Sequence, residues 1–189
     1  MKLYHVSEEA DITKFVPRIP HRKDVGSNAL VWALNERCLP NFLTPRNCPR
    51  VTYHVAEGSV PEEIARFFSC NQNSVDPKIG STEFTSHLSH VVAIEHGWHT
   101  KMLATTLYVY EFDPTNFYLQ DEVAGYYVSE QTEIPVGVTK YDNLYGELFR
   151  RGVEVRLLPN LWQLGRAVQK STLNWSLCRM ANALSEVHQ

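Results

Sequence analysis

Leu3-Tyr4-His5-Val6-Ser7 is the stretch on which the reading of this chain turns. Apolar, aromatic and β-branched residues in a short run predict a strand over residues 2–7. Ser7, with Glu8, Glu9 and Asp11 behind it, suits a turn or one short helical turn, since acids favour a helix N-terminus. His5 sits in the middle of the strand. A titratable side chain there costs free energy unless it is hydrogen-bonded or used. Either His5 is a satisfied core residue, or the strand lines a site.

Working outward, Leu30 to Leu34 has strand length. Pro40 suits the first turn of a short helix over 39–43, which Pro45 and Pro49 stop. Residues 51–55, 91–94, 107–112, 125–129, 134–138 and 153–158 read as extended. Helices are predicted over 61–68, 96–105, 142–150 and 161–169, and the segment 173–184 is expected to end as a helix that closes the core. Residues 16–28 and 69–86 carry the Pro, Gly, Ser and Asn that break periodicity, and both are expected to be mobile loops. The first is basic, with Arg18, His21, Arg22 and Lys23. Helices do not alternate regularly with strands. The expected class is therefore α+β with a mostly antiparallel sheet and flanking helices.

The 189 residues fit one domain spanning 1–189, with 43% hydrophobic and 21% charged residues, ordinary globular values. A net charge of −3 argues against a chain-wide polyanion surface but leaves room for a local basic groove. No run approaches the ~20 apolar residues of a membrane span, and the first residues do not have the form of a signal peptide. Cys38, Cys48, Cys70 and Cys178 show no C-x-x-C pair, so free thiols in a reducing cytosol are expected.

Few motifs carry chemistry. No phosphate-binding glycine loop, nucleophile elbow or kinase signature is present. Glu130 and Glu133 follow Tyr126-Tyr127-Val128-Ser129, and a carboxylate at a strand end can act as a base or stabilise positive charge. Arg18 and Arg46 offer planar forks of donors to phosphate. His87, His90, Glu95, His96 and His99 hold two H-x-x-H pairs, which invites a metal-dependent hydrolase reading, although the spacing is not H-E-x-x-H. Cys48 reads as a buried structural thiol.

Several stretches taken together resemble an uncharacterised bacterial family of unknown function. They are Leu3 to Glu8, Val31 to Leu34, Leu39 to Val51 (which contains Pro45-Arg46-Asn47-Cys48-Pro49-Arg50), Gly125 to Glu130 and Leu158 to Trp162. The opening Leu-Tyr-His is also distantly similar to the first strand of the ADP-ribosyltransferase-like superfamily, which includes RNA 2′-phosphotransferases. That resemblance implies a split, mostly antiparallel sheet and NAD as a substrate, without a metal. It places His5 on the NAD ribose and Trp32 at a second position, where Tyr or His is more usual. Glu130 becomes the catalytic acid, with Glu133 as its rival. Arg18 or Arg46 would pair with the pyrophosphate; apart from the resemblance, Gly125-Tyr126-Tyr127 ahead of the acids offers an aromatic ledge, so Tyr126 joins the expected binding residues. The function implied is transfer of ADP-ribose, or action on a phosphorylated nucleic-acid end. The alternative is a non-catalytic module that binds a nucleotide or small ligand, and the third reading is the metal-dependent hydrolase of residues 87–99. A nucleic-acid partner is compatible with these readings; a membrane partner is not expected.

Overall fold

The computed structural model describes residues 1–19, 28–68 and 89–186. The expectations for His21, Arg22, Lys23, Cys70, His87 and the connection 69–86 lie outside the described residues. In chain order the strands are β1 (Leu3–Ser7), β2 (Val31–Asn35), β3 (Arg50–His54), β4 (His90–Glu95), β5 (Leu107–Phe112), β6 (Tyr118–Asp121), β7 (Tyr126–Ser129), β8 (Gly137–Tyr141), β9 (Val153–Leu158) and β10 (Asn174–Cys178). The α-helices are α1 (Pro61–Phe68), α2 (His99–Ala104), α3 (Leu144–Arg150) and α4 (Trp162–Val168). The class is α+β, as composition and element order predict. The chain divides into two compact units, Met1–Arg46 with Leu103–Leu144 and Asn47–Met102 with Tyr145–Gln189.

The first unit is a six-stranded antiparallel sheet in the order β6-β7-β2-β1-β5-β8. The N-terminal strand β1 is therefore central. Leu3 faces Phe112 and His5 faces Tyr110 across β5, while Tyr4 faces Leu34 on β2. Side chains alternate across a strand, and this register sorts them. One face buries Leu3, Val31, Ala33 and Phe112, with Phe15, Phe117 and Tyr127 packed against them. The other carries Tyr4, Val6, Trp32, Leu34 and Tyr126. Beyond β1 the chain turns rather than coiling into a helix. Ser7 Oγ accepts from the Glu9 N–H at 3.0 Å, and Tyr110 Oη holds the loop by donating to the Glu9 carbonyl at 2.8 Å and accepting from the Ile12 N–H at 3.1 Å.

The second unit is a four-stranded sheet in the order β10-β3-β4-β9, antiparallel except for the parallel pair β4–β9. The two central strands β3 and β4 are buried along their whole length, as expected of strands covered on both faces. The helices α1 and α4 supply Phe67, Phe68 and Val168 to a cluster with Val51, Tyr53, Val91 and Ala93. Tyr53 anchors it, with ring centroids 5.6 and 5.4 Å from Phe67 and Phe68 and its hydroxyl donating to the Phe67 carbonyl at 3.3 Å.

The structure corrects two readings and adds one strand that the sequence did not predict. Residues 174–178 are a strand, not the approach to a closing helix: β10 pairs with β3 over its whole length, and among the described residues after it the one helical element is the 3-10 turn Met180–Asn182. Alternation in Asn-Trp-Ser-Leu-Cys outweighed the helical pattern. The extended segment expected at 134–138 pairs three residues later, as β8, because Glu133 is held by Phe15. Strand β6 is exposed throughout, and its apolar Tyr118 and Leu119 stand beside Gln120 and Asp121 in a run too short to read as a strand. Among the described residues no helix is long and apolar enough to cross a membrane.

Gly125, before β7, has φ of +66°, and a Cβ there would meet Asn35 Oδ1 at 2.6 Å and Cys38 Sγ at 2.7 Å. Its carbonyl accepts from the Asn35 N–H, and the Asn35 side chain accepts from the Cys38 N–H, both at 2.9 Å. Gly58 has φ of +85° but open space around it. Gly125→Ala is expected to lower stability by about 2–5 kcal/mol, from strain and overpacking together, and Gly58→Ala by about 1–2 kcal/mol, from strain alone. Urea unfolding midpoints of the two variants test this difference.

Candidate functional site

His5 donates its Nδ1–H to the Trp32 carbonyl at 2.9 Å. That bond fixes the tautomer and leaves Nε2 as an acceptor. The Phe15 ring lies 4.8 Å from the imidazole, and Phe15 itself is braced by Tyr110 and Phe112 at 5.2 and 5.0 Å. Part of His5 reaches solvent, yet its ring is packed among protein atoms. This burial is the main cause that lowers its pKa from 6.5. The Trp32 bond opposes the shift, while the Arg46 and Arg18 guanidinium groups add to it. His5 is thus a neutral acceptor, and the anionic Glu9 raises its pKa against the positive charge of Arg46 and Arg18.

Two segments bring that charge. Arg18 exchanges backbone hydrogen bonds with Leu30 at 3.1 Å, just before β2. Arg46 follows the 3-10 turn Leu39–Phe42, and its N–H donates to Glu8 Oε1 at 2.8 Å. Its guanidinium stands 4.0 Å from Glu9. Arg18 and Arg46 thus both act electrostatically on His5, and Glu9 opposes them.

The structure does not bring Trp32 or Tyr126 to the His5 ring. Trp32 pairs with Val128 and Tyr126 with Leu34, on the opposite face of the sheet. There the Trp32 and Tyr126 rings meet edge to face at 5.4 Å, and Phe42 lies 6.0 Å from Tyr126. With Tyr4, His5, Val6, Ala33 and Leu34 they line an open, apolar cleft of about 100 Å³. That volume is well below the several hundred Å³ of pockets that bury a drug-sized ligand.

The two acids also part. Glu130 is exposed, just past β7, and accepts from Tyr118 Oη at 3.3 Å. Tyr118 pairs with Val128, so this carboxylate belongs with the Trp32 face. Glu133 is buried and accepts from Ser129 Oγ at 2.5 Å. Its backbone pairs with Phe15, the residue that covers His5, at 2.8 and 2.9 Å. Ser129 pairs with Val31, on the His5 face. Of the two candidate acids, Glu133 is the one on the side of His5. Sequence reading missed Phe15 and Ser129. A lone aromatic in a loop without period carries no signal, whereas the parity of Ser129 with Val31 emerges only once β7 is paired.

Elsewhere the histidines are spread. His90 is buried in β4 with its ring 5.0 Å from His54, and His99 Nδ1 lies 2.9 Å from Tyr145 Oη. Among the described residues no three His, Cys, Asp or Glu side chains converge as metal ligands would. Burial pushes the Cys48 thiol up to about 12 and the Cys38 thiol up to about 11, which leaves both unreactive near neutrality.

The lowered pKa of His5 has a signed consequence. Between its folded and unfolded values the unfolded chain binds the proton and the folded one does not, so this group's contribution to stability falls as pH drops below about 6.5. His5→Asn places an amide where Nδ1 stands and cannot titrate. Its stability should lose up to about 1.4 kcal/mol less per pH unit than wild type on the acid limb. Urea unfolding from pH 7.5 to 5 measures the difference.

Residues 4–183 match a protein family described as a family of unknown function, DUF6886. No curated protein and no solved structure matches the chain. The family match takes in both sheets, the His5 strand and the Arg46 segment, and by it the chain belongs to DUF6886.

Proposed function

We propose that this protein binds NAD or a related nucleotide on the His5 face of its first sheet and transfers ADP-ribose from it. The observation that carries the reading is His5 itself, with its tautomer set by the Trp32 carbonyl and two arginines bearing on the ring. Nε2 accepts from a ribose hydroxyl, and Arg18 and Arg46 pair with the pyrophosphate. The acid is assigned to Glu133, because Glu130 lies on the other face with Tyr118. The bond between ribose C1′ and the nicotinamide nitrogen breaks with its electron pair leaving on nicotinamide. An acceptor oxygen or nitrogen then bonds to C1′ and gives its proton to the carboxylate, which also stabilises the cationic ribose. The ADP-ribosyltransferase-like fold belongs to this same reading. The antiparallel sheet with the His-bearing first strand at its centre supports it.

A second reading is favoured by one observation: Glu130 and His5 lie on opposite faces, and catalytic groups must converge on one reacting centre. In that reading the His5 face binds a nucleotide without turnover. Calorimetric titration with NAD, ADP-ribose and a 5′-phosphorylated oligonucleotide separates the possibilities. Wild type should bind NAD and ADP-ribose. His5→Ala should weaken both by about 1–3 kcal/mol, the cost of a hydrogen bond lost from a buried site. Arg46→Glu should weaken them most at low salt, where screening is least. Binding with release of nicotinamide supports transfer, and binding without it supports the module. No binding at millimolar ligand removes the nucleotide reading altogether.

A further inference from the structure

In the second unit, the segment 183–186 is held by side chains drawn from three places in the sequence. Both carboxylate oxygens of Glu95, at the end of β4, accept the Leu184 N–H, at 3.0 and 3.2 Å. The Leu184 carbonyl accepts from the Trp162 indole Nε1 at 2.8 Å and lies 3.5 Å from the Asn160 amide nitrogen, which also donates to the Ser185 carbonyl at 3.2 Å. Arg166, one turn along α4 from Trp162, forms an ion pair with Glu186. The Asn160 oxygen accepts from the Trp162 N–H at 2.9 Å, so its amide is fixed with the nitrogen toward the segment.

Two features separate this arrangement from ordinary packing of a chain end. First, Glu95 is 2% exposed. A carboxylate that deeply placed is costly unless hydrogen-bonded, and here it is aimed at a main-chain N–H. Second, the Leu184 side chain is 55% exposed. A segment that merely closed the core would bury its leucine. Instead, the backbone donor and acceptor of Leu184 are both read, and the side chain is left in solvent. That is recognition of an extended main chain with one acidic side chain two residues on, a form of peptide capture by backbone hydrogen bonds.

We propose that Glu95, Asn160, Trp162 and Arg166 form a binding site for an extended acidic peptide, occupied in this structure by the chain's own residues 183–186. The site accepts the same chemistry from another molecule when that segment leaves. The tethered segment competes at the high effective concentration of a short intramolecular link, so the intact chain takes up an external peptide only weakly.

Leu184→Pro in the full chain opens the site without touching it. It removes the N–H that Glu95 reads, and Ala183, with φ −70° and ψ 153°, already has the conformation required before proline. The probe is a fluorescein-labelled peptide with the sequence of residues 180–186, followed by anisotropy. Leu184→Pro should bind it at least about tenfold more tightly than wild type, and the same peptide carrying Pro in place of Leu184 should not bind. Adding Arg166→Glu to Leu184→Pro should abolish the gain. A Leu184→Pro protein with wild-type circular dichroism that binds the peptide no better than wild type overturns the proposal. If Leu184→Pro does not fold, Glu186→Lys, which reverses an accessible charge, serves in its place. It should raise peptide uptake, and unchanged uptake in that variant overturns the proposal equally.

Discussion

The pleat of β1 is the constraint on which the first sheet depends. Because β1 lies between β2 and β5, its two-residue period is locked on both sides: Tyr4 to Leu34 on one and His5 to Tyr110 on the other. A slip of one residue would turn His5 onto the Trp32 face and expel Leu3 from the cluster where it is wholly buried. The Trp32 carbonyl adds a side-chain bond to the ladder. His5 is therefore a structural pin, and the proposed function draws on Nε2 of the same ring. The bland and the functional readings of this residue are not exclusive.

That pleat also explains why the site residues named from sequence divide as they do. Spacing along the chain cannot say which face a residue takes until strands are paired. His5 and Trp32 are each legible as residues of a buried strand, yet alternation from paired neighbours sets their side chains apart. Glu130 and Glu133 look interchangeable in sequence. One extends β7 onto the Trp32 face, and the other folds back over the sheet because its main chain pairs with Phe15. The elements themselves were largely legible: apolar runs gave β1 to β5, β7 and β9, and proline with acids gave α1. The exposed edge strand β6, with Tyr118 and Leu119 followed by Gln120 and Asp121, was too short a run to read, and in β10 the alternation was set aside for a helix. The site depended on register and on one loop aromatic, which is why its membership was not.

The two units use buried polar groups differently. In the first, His5 is satisfied by a carbonyl on the neighbouring strand, and Glu133 by Ser129, four residues before it. In the second, Glu95 is satisfied by a segment far away in sequence. A buried group that depends on a distant segment makes the placement of that segment part of the stability of the site, since losing the partner leaves the charge desolvated.

The central claim is that ligand is received on the His5 face rather than on the apolar Trp32 face. Nitrogen-15 spectra of the protein titrated with ADP-ribose test this directly, since the His5 ring nitrogens and the Trp32 indole report the two faces separately. The account predicts that His5 Nε2 moves with saturation while the Trp32 indole resonance stays in place. Movement of the Trp32 indole with an unperturbed His5 ring would contradict it.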